Sequence, residues 1–461
     1  MRTSFSRLAY ESADDLVFGS APKAVRLRNG IAIGGGRVFP EVNFTLPAME
    51  VNKDTMPEVL SQYREMVSGI LARASELSVP SLVLEVELLP PMTNNPGWGI
   101  DVIKVVKEVM TEFEAKKGLA VGLRATPNDT REFVRPTQMR DGKYLDAMLQ
   151  TFAGCAEVGA DLLSIESTGG KELHDLALIQ GDIKGVIFAL SVMGARDMEF
   201  LWSRIASIAK STGAIAAGDT ACGFGNTAMV LAEKGYIPRL FAAIVRVATV
   251  TRSLVAYEAG AVGPSKDCAY EGPYIKSITG FPIAMEGRTA ACAHLSPVGN
   301  VAGAVCDLWS NESVQNVKLL GAMAPTVSLE QLAYDCRLYD QAIISGDDGV
   351  RQLRDWLTQS DAPLDPQAYV LAPDFVFEVS KSLVQGKSDY ERTKLAVAKA
   401  LELLKNAAND GELQLSDREK PWLTILESEV ESLPESEDEL WREIRSTYDT
   451  SSFSPNDYGL S

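Results

Sequence analysis

The chain has 461 residues, which at roughly 150 residues per domain leaves room for about three domains or one large barrel with extensions. Its 44 Lys and Arg against 62 Asp and Glu give a net charge of −18, which disfavours nonspecific binding to nucleic acid or to an anionic membrane. A hydrophobic fraction of 46% with 36 scattered glycines is the composition of a globular enzyme rather than of a disordered chain.

Residues 1–10 (MRTSFSRLAY) lack the apolar core of a secretory signal, so secretion is not expected and the cytoplasm is the expected location. Around the triple Gly34, Gly35, Gly36, residues 24–42 read as short strands that form a hairpin plug or lead-in. Behind Asp54 and Pro57, apolar residues from Met56 to Leu71 recur at three- and four-residue spacing and predict a helix. Strand 82–88 follows, then a helix marked by Val102, Ile103, Val106, Val109, Met110 and Phe113, then strand 119–123. Helix 144–158 leads into strand 161–165, a short helix near Leu173 into strand 186–190, and helix 197–210 into strand 214–217. Strands alternating with helices argue for a parallel sheet with helices outside it. A closed barrel and an open doubly wound sheet both satisfy the pattern, and the barrel is the favoured reading.

After residue 225 the pattern turns mostly helical, and eight strands cannot be counted. The apolar stretch 240–263 is broken by Arg246, Arg252 and Glu258, so it reads as a buried helix rather than a membrane span. Residues 411–461 carry 13 acids and 4 bases, half the charge of the chain, and read as a solvated helical or partly disordered appendage or a docking segment. The expected division is a lead-in over 1–50, a barrel with helical additions over 51–345, and a helical acidic extension over 346–461.

Six dilute cysteines point to a reducing compartment rather than a disulfide framework. Cys155, Cys292, Cys306 and Cys336 sit in apolar surroundings and read as small core residues. The two histidines, His174 and His294, have no metal-type spacing, and no GxSxG elbow is present. Gly223-Phe224-Gly225-Asn226-Thr227-Ala228 matches GxGxxA, yet no acid stands near 20 residues on, which argues against dinucleotide binding.

Three residues stand apart: Glu166 directly after strand 161–165, Cys222 in the glycine-rich loop after strand 214–217, and Cys268 in a polar loop. In a parallel barrel or doubly wound sheet, the carboxyl ends of the strands converge on one face. A carboxylate and two thiolates there suit Zn²⁺ and leave a fourth coordination position open. The alternative is two loop thiols and a helix-capping carboxylate.

At these residues the sequence resembles the zinc-containing methyltransferase subunit of methanol:corrinoid methyltransferase. The resemblance rests on 164–172 (SIESTGGKE), 218–227 (GDTACGFGNT) and 266–274 (KDCAYEGPY), and extends through most of the chain. It implies a TIM (β/α)8 barrel with added helices, zinc ligands Glu166, Cys222 and Cys268, and methyl transfer from methanol to Co(I) of a corrinoid carried by a partner protein. It also implies an oligomer, either a dimer of this chain or a hetero-oligomer with the corrinoid subunit. Asp219, Asn226, Glu85 and Glu87 are candidates for holding a proton or orienting groups, against a purely structural role for each. Two other readings stay open: zinc-dependent methyl transfer from a methylamine, methylthiol or methoxyarene, and a non-catalytic barrel that scaffolds a corrinoid protein.

Overall fold

The computed structural model describes residues 2–46, 49–266, 270–314 and 317–460. Its centre is a seven-stranded parallel sheet of β3 (Phe39–Thr45), β4 (Ser81–Leu88), β5 (Ala120–Pro127), β6 (Leu162–Ile165), β7 (Ile215–Asp219), β8 (Ala284–Glu286) and β9 (Leu308–Val314). The strand order is β7-β6-β5-β4-β3-β9-β8, so the sheet curls until its first and last strands approach from opposite sides. Residues 262–266 fill the gap between them. Val262 donates its backbone N–H to Ala216 O of β7 at 2.8 Å. A Cβ on Gly263 would meet Pro282 O at 2.5 Å, and one on Gly218 would meet Ser265 Cα at 3.3 Å, so this segment wedges between the β7 and β8 sides. The eighth position of the barrel is thus taken by irregular chain, which is why strand periodicity did not reveal it.

Strand parity decides what the barrel encloses, because successive side chains point to opposite faces. In β4, Leu82, Leu84, Val86 and Leu88 face the helix layer, while Val83, Glu85 and Glu87 face the lumen. In β3, Val42 and Phe44 face outward, whereas Phe39, Glu41 and Asn43 face inward. The inward rows are apolar at the amino end and acidic at the carboxyl end. The apolar end is closed by an antiparallel hairpin, β1 (Ser20–Arg26) and β2 (Ala32–Gly35). Its Leu27, Ile31 and Ile33 pack on Phe39, Val83, Leu162, Ala217, Ala284 and Leu308. The plug expected around the triple glycine is present, and the 1–50 segment also supplies β3, a barrel strand.

The outer layer follows the predicted helices closely, among them Met56–Glu76, Pro96–Lys117, Lys143–Glu157 and Ala195–Thr212. Residues 186–190 are helical, not the expected strand. Helix Ile183–Phe188 runs into a π-helical turn, Ala189–Gly194, and on into Ala195–Thr212. This run is buried on nearly every side, and a short apolar segment without polar alternation carries no period to separate strand from helix. Cys155, Cys306 and Cys336 are buried as expected, but Cys292 is exposed, on the outer side of the short helix Arg288–Ala293.

Among the described residues one helix is long and apolar enough to cross a membrane, Arg239–Glu258, and every residue from Leu240 to Glu258 is buried within the protein. The acidic extension covers it. Helix Asp389–Asp410 packs along it, and Trp441 of helix Glu437–Thr447 stacks on Phe188 with ring centres 5.6 Å apart. The tail is therefore helical and docked through apolar faces, with its acids on the outside.

Candidate active site at the carboxyl end of the barrel

The lumen becomes ionic halfway up. Arg124 of β5 is fully buried and donates from Nε to Glu41 Oε1 at 2.7 Å, and from Nη1 to Ser164 Oγ at 2.7 Å and Pro264 O at 3.0 Å. One guanidinium thereby ties β3, β5, β6 and the wedge segment into a rigid floor, its charge met by carboxylate and carbonyl oxygens.

Above the floor the inward parity positions deliver Glu85 and Glu87 from β4, Glu166 after β6, Glu286 from β8 and Glu312 from β9. Carboxylate oxygens of Glu87, Glu166 and Glu312 come within 4.8 Å of one another. The buried Lys266 ammonium reaches into this group, 2.9 Å from Glu166 Oε1, 2.5 Å from Glu87 Oε1 and 3.7 Å from Glu85 Oε1. His294 spans the opposite side, Nδ1 at 3.6 Å from Glu286 Oε1 and Nε2 at 3.6 Å from Glu312 Oε2. Five carboxylates against one ammonium and one imidazole make a pocket built for positive charge.

Cys222 follows the carboxyl end of β7, the strand beside β6, which leads into Glu166. It is the first residue of helix Cys222–Glu233 and is buried. Asn226, one turn on, donates from Nδ2 to Cys222 Sγ at 3.1 Å, and Tyr270 packs against Cys222. The loop before it is held from beneath: Glu271 Oε1 accepts from Ala221 N at 2.7 Å, and Arg252 donates to Thr220 O at 3.4 Å.

Comparison with known proteins fits this architecture over its whole length. The family model for the methanol-cobalamin methyltransferase B subunit matches residues 2–459. The chain belongs to that family. It is 38% identical over 463 residues to the methanol--corrinoid protein co-methyltransferase of Methanosarcina barkeri (strain Fusaro / DSM 804), covering 99% of each. It also superposes on a solved structure, the methanol:cobalamin methyltransferase complex MtaBC from Methanosarcina barkeri, with a TM-score of 0.93 and 37% identity, covering 99% of both chains.

Of the residues singled out from sequence in this family member, Glu166 and Cys222 stand at the carboxyl ends of the adjacent strands β6 and β7, whose register pairs Ile165 with Asp219. Cys268 lies outside the described residues. Glu85 and Glu87 are in the pocket. Asp219 faces away from it. The register slips between β6 and β7, from Leu163 opposite Ala216 to Ser164 opposite Gly218, and that extra residue turns Asp219 to the helix layer. Gly218 absorbs the slip at φ 136°, a conformation open to glycine. Asp219 there accepts from Trp202 Nε1 at 3.0 Å, Arg252 at 3.1 Å and the N–H of Thr220 at 2.9 Å. Burial raises its carboxyl above the ordinary value, and Arg252 pulls the other way. It is a structural hub behind the Cys222 loop.

Sequence reasoning did not pick out Lys266, Glu286, Glu312 or Tyr270, and it left His294 as an ordinary histidine. The alternation Leu308, Ser310, Glu312 against Trp309 carries the inward row of β9, but it falls in the region read as helical.

Proposed function

We propose that this chain transfers the methyl group of methanol to the Co(I) of a corrinoid held by a partner protein, using a zinc ion bound by Glu166, Cys222 and Cys268. The observation that carries the reading is that Glu166, in an acidic pocket, and Cys222 stand at the carboxyl ends of adjacent strands in a chain that matches the family end to end. The donor set fits the metal. Cys222 opens a 12-residue helix, whose positive end favours the thiolate, and its sulfur already accepts an amide N–H. Glu166 belongs to a carboxylate cluster that accommodates an ammonium.

When bound, zinc supplies Lewis acidity toward the methanol oxygen and stabilises the charge that develops as the carbon–oxygen bond breaks. The methyl group leaves without its bonding electrons, so the oxygen departs as hydroxide and takes up a proton. The chain's residues set the stage for that event. Lys266 Nζ fixes the Glu166 carboxylate and offsets part of the charge of Glu85 and Glu87. The Arg124 floor and the apolar plug close the lumen from below, which leaves the carboxyl-end face for both methanol and the corrinoid. A partner seated on that face also excludes bulk water from the attack.

The test mixes the chain with reduced corrinoid protein and methanol and follows the cobalt absorption. Methylation that needs both proteins supports the reading, and methanol turnover by the isolated chain overturns it. Running methylamine, methylthiol and methoxyarene donors in parallel assigns the donor, and faster methylation from one of them replaces methanol as the substrate.

A further inference from the structure

The segment 223–228 matched a phosphate-loop pattern that the fold does not use, and the structure gives its glycine and asparagine another purpose. Gly225 lies on helix Cys222–Glu233, where an added Cβ would come within 2.7 to 2.9 Å of three atoms of the Tyr270 ring. Only a residue without a side chain lets that ring lie flat on the helix, beside Cys222. From there the Tyr270 hydroxyl donates to Asn226 Oδ1. Asn226 Nδ2 points the other way and donates to Cys222 Sγ at 3.1 Å. Over the Tyr270 ring sits the guanidinium of the buried Arg246, 4.3 Å from the centroid and bonded through Nε to Gln367 Oε1 at 3.3 Å.

The order of these contacts matters. An asparagine amide can flip, and the wrong orientation would set oxygen lone pairs against a thiolate. The Tyr270 hydroxyl donates to the oxygen end, which leaves the N–H₂ end for the sulfur. A cation over the ring draws electron density from the phenol and makes its hydroxyl a better donor. The chain Arg246, Tyr270, Asn226, Cys222 is therefore directional.

We propose that Asn226 is a positioning residue for the Cys222 thiolate, held in its donating orientation by Tyr270, and that Gly225 is required because the Tyr270 ring must pack against it. This rests on the zinc reading above. The hydrogen bond withdraws charge from the sulfur and so leaves the bound metal more electrophilic toward an oxygen ligand.

The experiment replaces zinc by Co²⁺ in the full-length protein and records the sulfur-to-cobalt charge-transfer band. It also measures Zn²⁺ affinity by competition with a chromophoric chelator. A hydrogen bond lowers the energy of the sulfur lone pairs, so its loss moves the band to longer wavelength. Asn226→Leu and Asn226→Ala should both shift the band and weaken zinc about 10- to 100-fold, the usual cost of losing such an outer-shell partner. Tyr270→Phe and Gly225→Ala, which leave the amide in place but free it to flip, should shift the band less and weaken zinc a few-fold. Circular dichroism checks that each variant folds, and a loosened fold lowers the melting temperature without moving the band. An unmoved band with wild-type zinc affinity in both Asn226 variants overturns the proposal. A shift in the Asn226 variants with none in Tyr270→Phe overturns the orienting role of Tyr270. Absence of any sulfur-to-cobalt band in the wild-type protein overturns the zinc reading beneath it, a result distinct from the other two.

Discussion

At the scale of single residues, the same side-chain type does different work according to where the fold sets it. Cys155 and Cys306 are fully buried, and burial pushes both thiols well above their ordinary range, so they stay protonated and inert. Cys222 opens a helix and takes an amide N–H on its sulfur. Metal analysis by mass spectrometry should therefore find about one zinc per chain in the wild type, in Cys155→Ser and in Cys306→Ala. Most of it should be lost in Cys222→Ser, Glu166→Gln and Cys268→Ala. Full zinc retention in the last three would remove the site.

His174 offers a second prediction. Its ring is wholly buried edge-on to Phe224, and burial lowers its pKa from 6.5, with Asp175 at 3.0 Å opposing the shift. The folded state then binds fewer protons than the unfolded chain just below that value, so stability is lost as pH falls through about 6.5. Melting temperatures between pH 7.5 and 5.5 should fall more steeply for the wild type than for His174→Gln. Parallel slopes would show that His174 does not contribute.

At the scale of elements, period-two patterning explains both the successes and the failure of the sequence reading. β4 was legible because leucines and valines alternate with Glu85 and Glu87, which placed both acids on one face. The π-turn run was misread as a strand because nearly all of its residues are buried, so no polar position sets a period. The β1-β2 plug acts as a lid on the apolar end of the lumen, and its Ile33 is completely buried against the lumen residues. Ile33→Ala should cost about 2–5 kcal/mol of stability in chemical denaturation. Zinc content should be unchanged, since the plug and the acidic pocket lie at opposite ends of the barrel. Zinc loss in a folded Ile33→Ala protein would contradict that separation.

At the scale of the whole molecule, the acidic extension ends on the active-site face. Tyr458, almost fully buried, accepts at its hydroxyl from Gly170 N at 3.1 Å, just beyond Glu166. Asp457 accepts from Met139 N at 2.7 Å, and Phe453 bridges to Thr137. Truncation after Thr447 should therefore lower the melting temperature and open 129–142 to limited proteolysis, where a merely solvated tail would change neither. A barrel of this size buries enough apolar surface to stand without a bound metal. Chelation should abolish methyl transfer and leave the circular dichroism almost unchanged, and global unfolding on chelation would favour a structural metal and the scaffold reading.

The sequence by itself determined the βα alternation, the buried course of 240–258, the plug near the triple glycine, and Glu166 and Cys222 as strand-end residues. Each of these follows from local periodicity or from a residue standing next to a strand, and local patterns survive without knowledge of the rest of the chain. The tertiary structure alone decided how the barrel closes, because 262–266 takes a strand's place through contacts with β7 and the 281–282 turn rather than through any pattern of its own. It also decided that Asp219 faces the helices, since a one-residue slip against β6 reverses parity and leaves no mark in the composition of either strand. The same holds for Lys266 among three glutamates and for Tyr270 upon Gly225. Such groupings join residues tens to hundreds of positions apart, and their meaning depends on which distant groups the fold brings into reach.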